Sequence, residues 1–118
     1  MAGLIVGLVL VVMGLAELWV CWLGSQRRLP PNAAVGIRLP ATRTSEEAWY
    51  VAHESAAGLL GLGGGIAATC GIAVLFTGFD VVGVAVAALG FVALLGATSL
   101  ATVVALRSVK DIPDQDFE

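Results

Sequence analysis

Most of the residues in this chain that could do chemistry lie between Pro31 and His53. On a helix starting at Thr44, Glu46, Trp49 and His53 are spaced i, i+3 and i+7 and share one face. Glu47, Tyr50 and Glu54 share the face beside it. His53 has two readings. It could be a proton-linked switch, because small changes of environment move an imidazole across physiological pH. Alternatively it is an interfacial residue bonded to loop backbone, with Trp49 setting the depth of the helix.

Arg38 also has two readings. It could receive a lipid phosphate or another anion near the helix start. It could instead pair with Glu46 or Glu47 and fold the segment before the helix back over it. Glu17, the one charge in an otherwise apolar stretch, is a functional candidate because a carboxylate inside a membrane is costly. The plainer reading places it about a turn from the interface, neutral or bonded to a neighbouring helix.

No catalytic constellation accompanies these residues. The chain has one histidine, and it contains no G-x-S-x-G, phosphate-binding glycine loop or H-E-x-x-H motif. His53 and Glu54 are adjacent, and adjacent helical residues do not face each other. No Cys/His cluster suggests a metal, and no cofactor is expected. Basic residues are too few and scattered for nucleic acid.

The elements that hold these residues are set by composition. The 118 residues are 58% hydrophobic and 13% charged, and long uncharged runs read as membrane helices. The expected fold is an all-α bundle of three transmembrane helices in one membrane domain. The first span covers about residues 3–23. It has no basic residue ahead of it and carries Trp19 and Trp22 near its end, so it reads as a retained helix.

A loop over 24–44 follows. Pro30, Pro31 and Pro40 exclude regular helix there, and Gly36 allows a turn. Thr44 and Glu47 form a capping-box pattern at the start of the next helix. That helix, expected over 45–78, carries an extension ahead of an uncharged run from Ser55 to Phe79. Within it, Gly58, Gly61 and Gly65 would let another helix approach closely. A tight hairpin leads to a third span over 81–106, and a tail over 107–118 ends the chain.

Arg27, Arg28, Arg38 and Arg43 precede the second span, and Arg107 and Lys110 follow the third. The positive-inside rule places both groups in the cytoplasm and the N-terminus outside. On that topology Cys21 and Cys70 differ in depth by roughly 15–20 Å, too far for a disulfide. Both read as buried free thiols.

The polar stretch resembles the SdpI family of small bacterial membrane proteins. The matching residues are Asn32, Gly36-Ile37-Arg38, Pro40, Thr42, Ser45-Glu46-Glu47, Trp49 and His53, within a layout of one span, motif and two spans. Leu39 stands where the family usually has Thr, and Glu54 where a basic residue is common. The resemblance implies a three-span protein of the bacterial plasma membrane with a cytoplasmic loop, and with the glycine-rich packing faces and the missing catalytic constellation it points to action by binding, not catalysis. It offers three roles: immunity to a membrane-active peptide toxin, docking of a cytoplasmic regulator, or service as an accessory subunit. Asn32, Gly36, Arg38, Thr42, Glu46, Glu47, Trp49 and His53 are the candidate binding residues.

Beyond the bilayer itself, the expected partners are further copies of the chain or a larger membrane complex. One alternative is an enzyme or carrier for an anionic lipid, using Arg38, His53 and a carboxylate. A channel or transporter would require an oligomer, since three helices leave little room for a pore.

Overall fold

The computed structural model describes residues 1–32 and 34–113, and the last residues of the tail, 114–118, lie outside the described residues. Three helices carry the chain: α1 (Ala2–Ser25), α2 (Glu46–Thr77) and α3 (Val81–Val109). A short 3-10 turn, Pro40–Arg43, lies in the loop between α1 and α2, and no strand occurs among the described residues. All three helices are long and apolar enough to cross a membrane. Their backbone groups bond within each helix, as a bilayer core requires.

The 32 residues of α2 make a helix about 48 Å long, longer than a bilayer core of about 30 Å. Its uncharged part is enough to span. The preceding turns, with Glu46, Glu47, His53 and Glu54, form an extension on which the loop sits. The molecule is accordingly a rod, 51 × 21 × 20 Å.

α2 is the hub, with α1 and α3 packed on either side of it and scarcely on each other. Small residues draw the backbones together. A Cβ on Gly64 would lie 2.7 Å from the Gly14 carbonyl oxygen, and one on Gly71 would lie 2.7 Å from that of Gly7. The two pairs run antiparallel, with the same seven-residue spacing in each helix. Gly61 faces the Cys21 thiol, whereas Gly58 and Gly65 have open space around them within the chain. The α1–α2 seam therefore takes in Gly61 with Gly64 and Gly71, and leaves Gly58 and Gly65 off it.

On the other side, Ala48, Ala52, Ala56 and Leu60 of α2 meet Ala101, Ala105 and Val109 of α3. A second cluster holds Leu10, Ala67, Val74, Ala87 and Leu94. Large apolar side chains such as Val12, Leu62, Phe76 and Val92 point outward, as a lipid-facing surface demands. Cys21 and Cys70 are free thiols, Cys70 buried and Cys21 half-buried.

The helix ends have local causes. α1 closes with Arg28 N–H bonded to the Leu23 carbonyl and Arg27 N–H to that of Gly24, and Arg27 adopts a left-handed φ of 55°. α2 is capped by Ser45, whose hydroxyl accepts the Ala48 N–H at 3.0 Å. The cap thus falls one residue after Thr44, and no Glu47 side chain closes a box. Ser45 has the extended backbone a cap needs, while Thr44 is still helical as the residue ending the 3-10 turn. Gly78, with φ of 78°, turns the chain into α3, and Asp80 caps that helix through the Gly83 N–H at 2.8 Å.

Candidate functional site

The loop from Gln26 to Ser45 folds down onto the extension of α2, and its own sequence explains how. Pro30 and Pro31 exclude helix, which leaves nearby carbonyls available to side-chain donors. Asn32 accepts the N–H groups of Ala34 and Val35 at 2.8 and 2.7 Å and donates to the Pro30 carbonyl at 2.9 Å. One amide therefore fixes the turn after the prolines. Thr42, fully buried, donates to the Ile37 carbonyl at 2.6 Å and accepts the Leu39 N–H at 3.2 Å.

Trp49 and His53 are the posts to which this loop is tied. The Trp49 indole N–H donates to the Leu29 carbonyl at 2.8 Å, and its side chain is fully buried. It does not set helix depth at the lipid interface, as expected from sequence. The carbonyl before Pro30 gives the indole a protein acceptor, so the ring turns inward. Trp19 and Trp22 are the exposed tryptophans, and the Arg28 guanidinium lies 5.4 Å from the Trp22 ring.

His53 is 1% exposed, and its ring lies 4.3 Å from that of Trp49. Its Nδ1 sits 2.7 Å from the Trp49 carbonyl, and its Nε2 accepts the Ile37 N–H at 2.8 Å. A carbonyl only accepts and an amide N–H only donates, so Nδ1 carries the proton and the ring is neutral. Two glycines make room for it. A Cβ on Gly36 would fall 2.5 Å from Nε2, and Gly36 has φ of 108°, which L side chains rarely adopt. A Cβ on Gly24 would come within 3.1 Å of the His53 carbonyl.

The candidate residues thus divide. Asn32, Gly36, Thr42, Trp49 and His53 shape and anchor the loop. Arg38, Glu46 and Glu47 lie on its outer side and are exposed. Glu46 is exposed, whereas Trp49 and His53, three and seven residues on, are buried. Glu47 and Glu54 do share a face, and Arg27 lies along it, 3.2 Å from Glu47 and 3.5 Å from Glu54. The hydrogen bonds that Arg27 donates to Glu47 do most to hold the guanidinium above its ordinary pKa. The expected pairing was of Arg38 with Glu46 or Glu47; Glu47 receives Arg27, which comes from the residues just after α1 and has a left-handed backbone.

Glu17 occupies a second place. Thr98 of α3 donates a hydroxyl hydrogen bond to Glu17 Oε1, and the same hydroxyl lies 2.7 Å from the Leu94 carbonyl. This polar contact joins α1 to α3, which otherwise meet mainly through α2. Glu17 Oε2 is buried and has no hydrogen-bond partner among the described residues. Other parts of Glu17 border an open cavity of about 190 Å³ lined also by Ala16 and Val20 of α1, Leu60 of α2, Thr98 of α3 and Gly36 and Ile37 of the loop. Ile37 therefore connects the two places: its N–H holds His53 and its body closes one side of the Glu17 cavity.

Leu29, Arg27, Ser45 and Thr98 are the participants that sequence reasoning missed. Thr98 carried a usable signal, as a hydroxyl in one apolar span of a chain whose first span holds a carboxylate. Leu29 carried none, because it acts through its carbonyl. No group of three His, Cys, Asp or Glu among the described residues could hold a metal.

Three apolar helices with a folded polar loop between the first and second define a multi-pass membrane protein. The SdpI/YfhL protein family model matches residues 28–105, from the loop through most of α3, and the chain belongs to that family. No curated protein and no solved structure matches the chain.

Proposed function

We propose that this is a non-enzymatic protein of the bacterial plasma membrane that acts by binding, with its ordered loop as the docking platform. One observation carries the reading: both nitrogens of His53 are engaged, Nε2 by the Ile37 N–H of the loop and Nδ1 by the Trp49 carbonyl of its own helix. Together with Trp49 and Thr42, the histidine works as a fastener, and what faces outward is a shaped surface bearing Arg38, Arg43 and Glu46. An enzyme or carrier for anionic lipid would need His53 to exchange protons, and that would break the loop's anchor.

The placement of Arg27, Arg28, Arg38, Arg43, Arg107 and Lys110 supports a cytoplasmic loop and tail, with the start of α1 outside. The platform then meets a cytoplasmic regulator, a neighbouring subunit of a membrane complex or homo-oligomer, or a membrane-active peptide at the inner face.

The test is capture in mild detergent followed by mass spectrometry, with wild type beside an Arg43→Glu, Glu46→Arg variant. A partner recovered in fixed ratio with wild type, and lost with the variant while melting is unchanged, supports the platform. Recovery of the same partner by both forms would overturn it. Impermeant labelling of a cysteine placed at Ser108 in intact cells would overturn the orientation.

A further inference from the structure

One face of α1 carries a continuous row of large apolar side chains. Leu8, Val12, Leu15, Trp19 and Trp22 recur at steps of four and three residues, and all five are exposed. Gly7, Gly14 and Gly24 lie on another side of the helix, against α2. Helices in a membrane meet through small residues, because lipid is as apolar as a large side chain. The row therefore faces lipid.

Two donors stand at the loop end of this row. The Arg28 guanidinium lies 5.4 Å from the centre of the Trp22 ring, whose negative face holds a cation there. Arg27 beside it takes Glu47 and Glu54, and no carboxylate pairs with Arg28 among the described residues. The side-chain bond that Arg28 does make is to Gln26 Oε1, at 3.4 Å. Of the three tryptophans, Trp49 alone gives its indole N–H to an acceptor among the described residues. The Trp22 N–H is thus a second donor left for whatever lies alongside.

We propose that Arg28 and Trp22 bind the phosphodiester headgroup of one anionic phospholipid, with an acyl chain lying along Trp19, Leu15 and Val12. The guanidinium fork matches two phosphate oxygens, and the indole N–H supplies a third bond. A zwitterionic lipid fits less well, because its own ammonium already answers its phosphate. A second copy of α1 packed in parallel on this face would set one Arg28 against the other. The site lies on α1 and does not depend on the loop's outer surface as a docking platform.

The whole protein is reconstituted in phosphatidylcholine vesicles that contain rising amounts of phosphatidylglycerol brominated on its acyl chains. Bromine quenches an indole on contact, so exposed Trp19 and Trp22 report and buried Trp49 does not. Brominated phosphatidylcholine and phosphatidylethanolamine, each at the same mole fractions, are the comparisons. Phosphatidylglycerol should quench half-maximally at a mole fraction about tenfold lower than either, the scale of a hydrogen bond to a charged group.

Arg28→Gln should remove most of this preference. Trp22→Leu keeps the apolar row and removes the N–H, and with Trp19 as reporter it should weaken the preference too. Lys110→Ala removes the same charge from an exposed place at the end of α3, and should leave the preference intact. The proposal is overturned if the three lipids quench wild type alike. It is also overturned if Arg28→Gln and Lys110→Ala lower the preference equally, which would mean general attraction of an anionic surface, or if Trp22→Leu keeps the wild-type preference.

Discussion

Ile37 N–H and His53 Nε2 meet at 2.8 Å across sixteen residues of chain, and this bond ties the loop to the second helix. Its loss can be read directly. His53→Leu leaves the Ile37 N–H without its acceptor and should destabilise the protein by about 1–3 kcal/mol in detergent unfolding. His53→Gln should cost less, because its amide oxygen reaches about as far along the side chain as Nε2. Equal losses from the two variants would show that packing, and not the bond, holds the loop.

Gly36 is the counterpart of that histidine. Gly36→Ala places a Cβ 2.5 Å from Nε2 on a backbone with φ of 108°. Strain of this kind costs about 1–3 kcal/mol. Limited proteolysis should cut the loop of this variant faster than that of wild type, with α1, α2 and α3 still folded by circular dichroism.

Acid should loosen the same place. Protonating Nε2 would set it against the Ile37 N–H, donor against donor. A released loop lets the ring take a proton at its ordinary value, about 6.5. The docked loop binds fewer protons than the released one, so docking is fully stable above about pH 6.5 and weakens as pH falls below it. Amide exchange at Ile37 should speed up on acidification once the intrinsic pH dependence is removed, and should not do so in His53→Gln. A flat profile in wild type would contradict the neutral assignment.

The glycines should behave unequally. Gly64→Leu forces a side chain into the Gly14 backbone and should cost about 1–3 kcal/mol or prevent assembly. Gly65→Leu meets open space within the chain and should leave monomer melting unchanged. A loss at Gly65 equal to that at Gly64 would mean that another helix covers this face.

Arg27 and Glu47 should couple. A double-mutant cycle with alanine at each should be non-additive at low salt, and the coupling should fade as salt is raised, because both side chains are largely exposed. Additivity at low salt would remove the pair as an anchor of the loop.

The three helices were legible because uncharged runs in this chain have one stable solution in a bilayer, and the prolines marked the loop between the first two. Polarity singled out Asn32, Thr42, Trp49 and His53, yet it could not say which way they face. Trp49 and His53 turn inward because carbonyls and an N–H of the loop meet them, and backbone partners leave no trace in side-chain type. The α1–α2 seam was readable in principle from Gly7 and Gly14 set against Gly64 and Gly71, but the eye goes first to the denser Gly61-x-x-x-Gly65. Arg27 was hidden because a left-handed non-glycine residue cannot be foreseen from a run of two arginines.

The contact between Glu17 and Thr98 spans 81 residues and has a consequence for biosynthesis. Glu17 leaves the ribosome with the first helix, and the hydroxyl that meets it arrives only with the last. Until then α1 carries a carboxylate that the bilayer resists, so its insertion stays reversible and its release to lipid waits on α3. A chain cut before α3 should linger at the insertion machinery and be degraded quickly, and Glu17→Gln should prolong its lifetime in a pulse-chase experiment. The carboxylate would then act as a completion mark, by which the cell distinguishes a finished chain from a partial one.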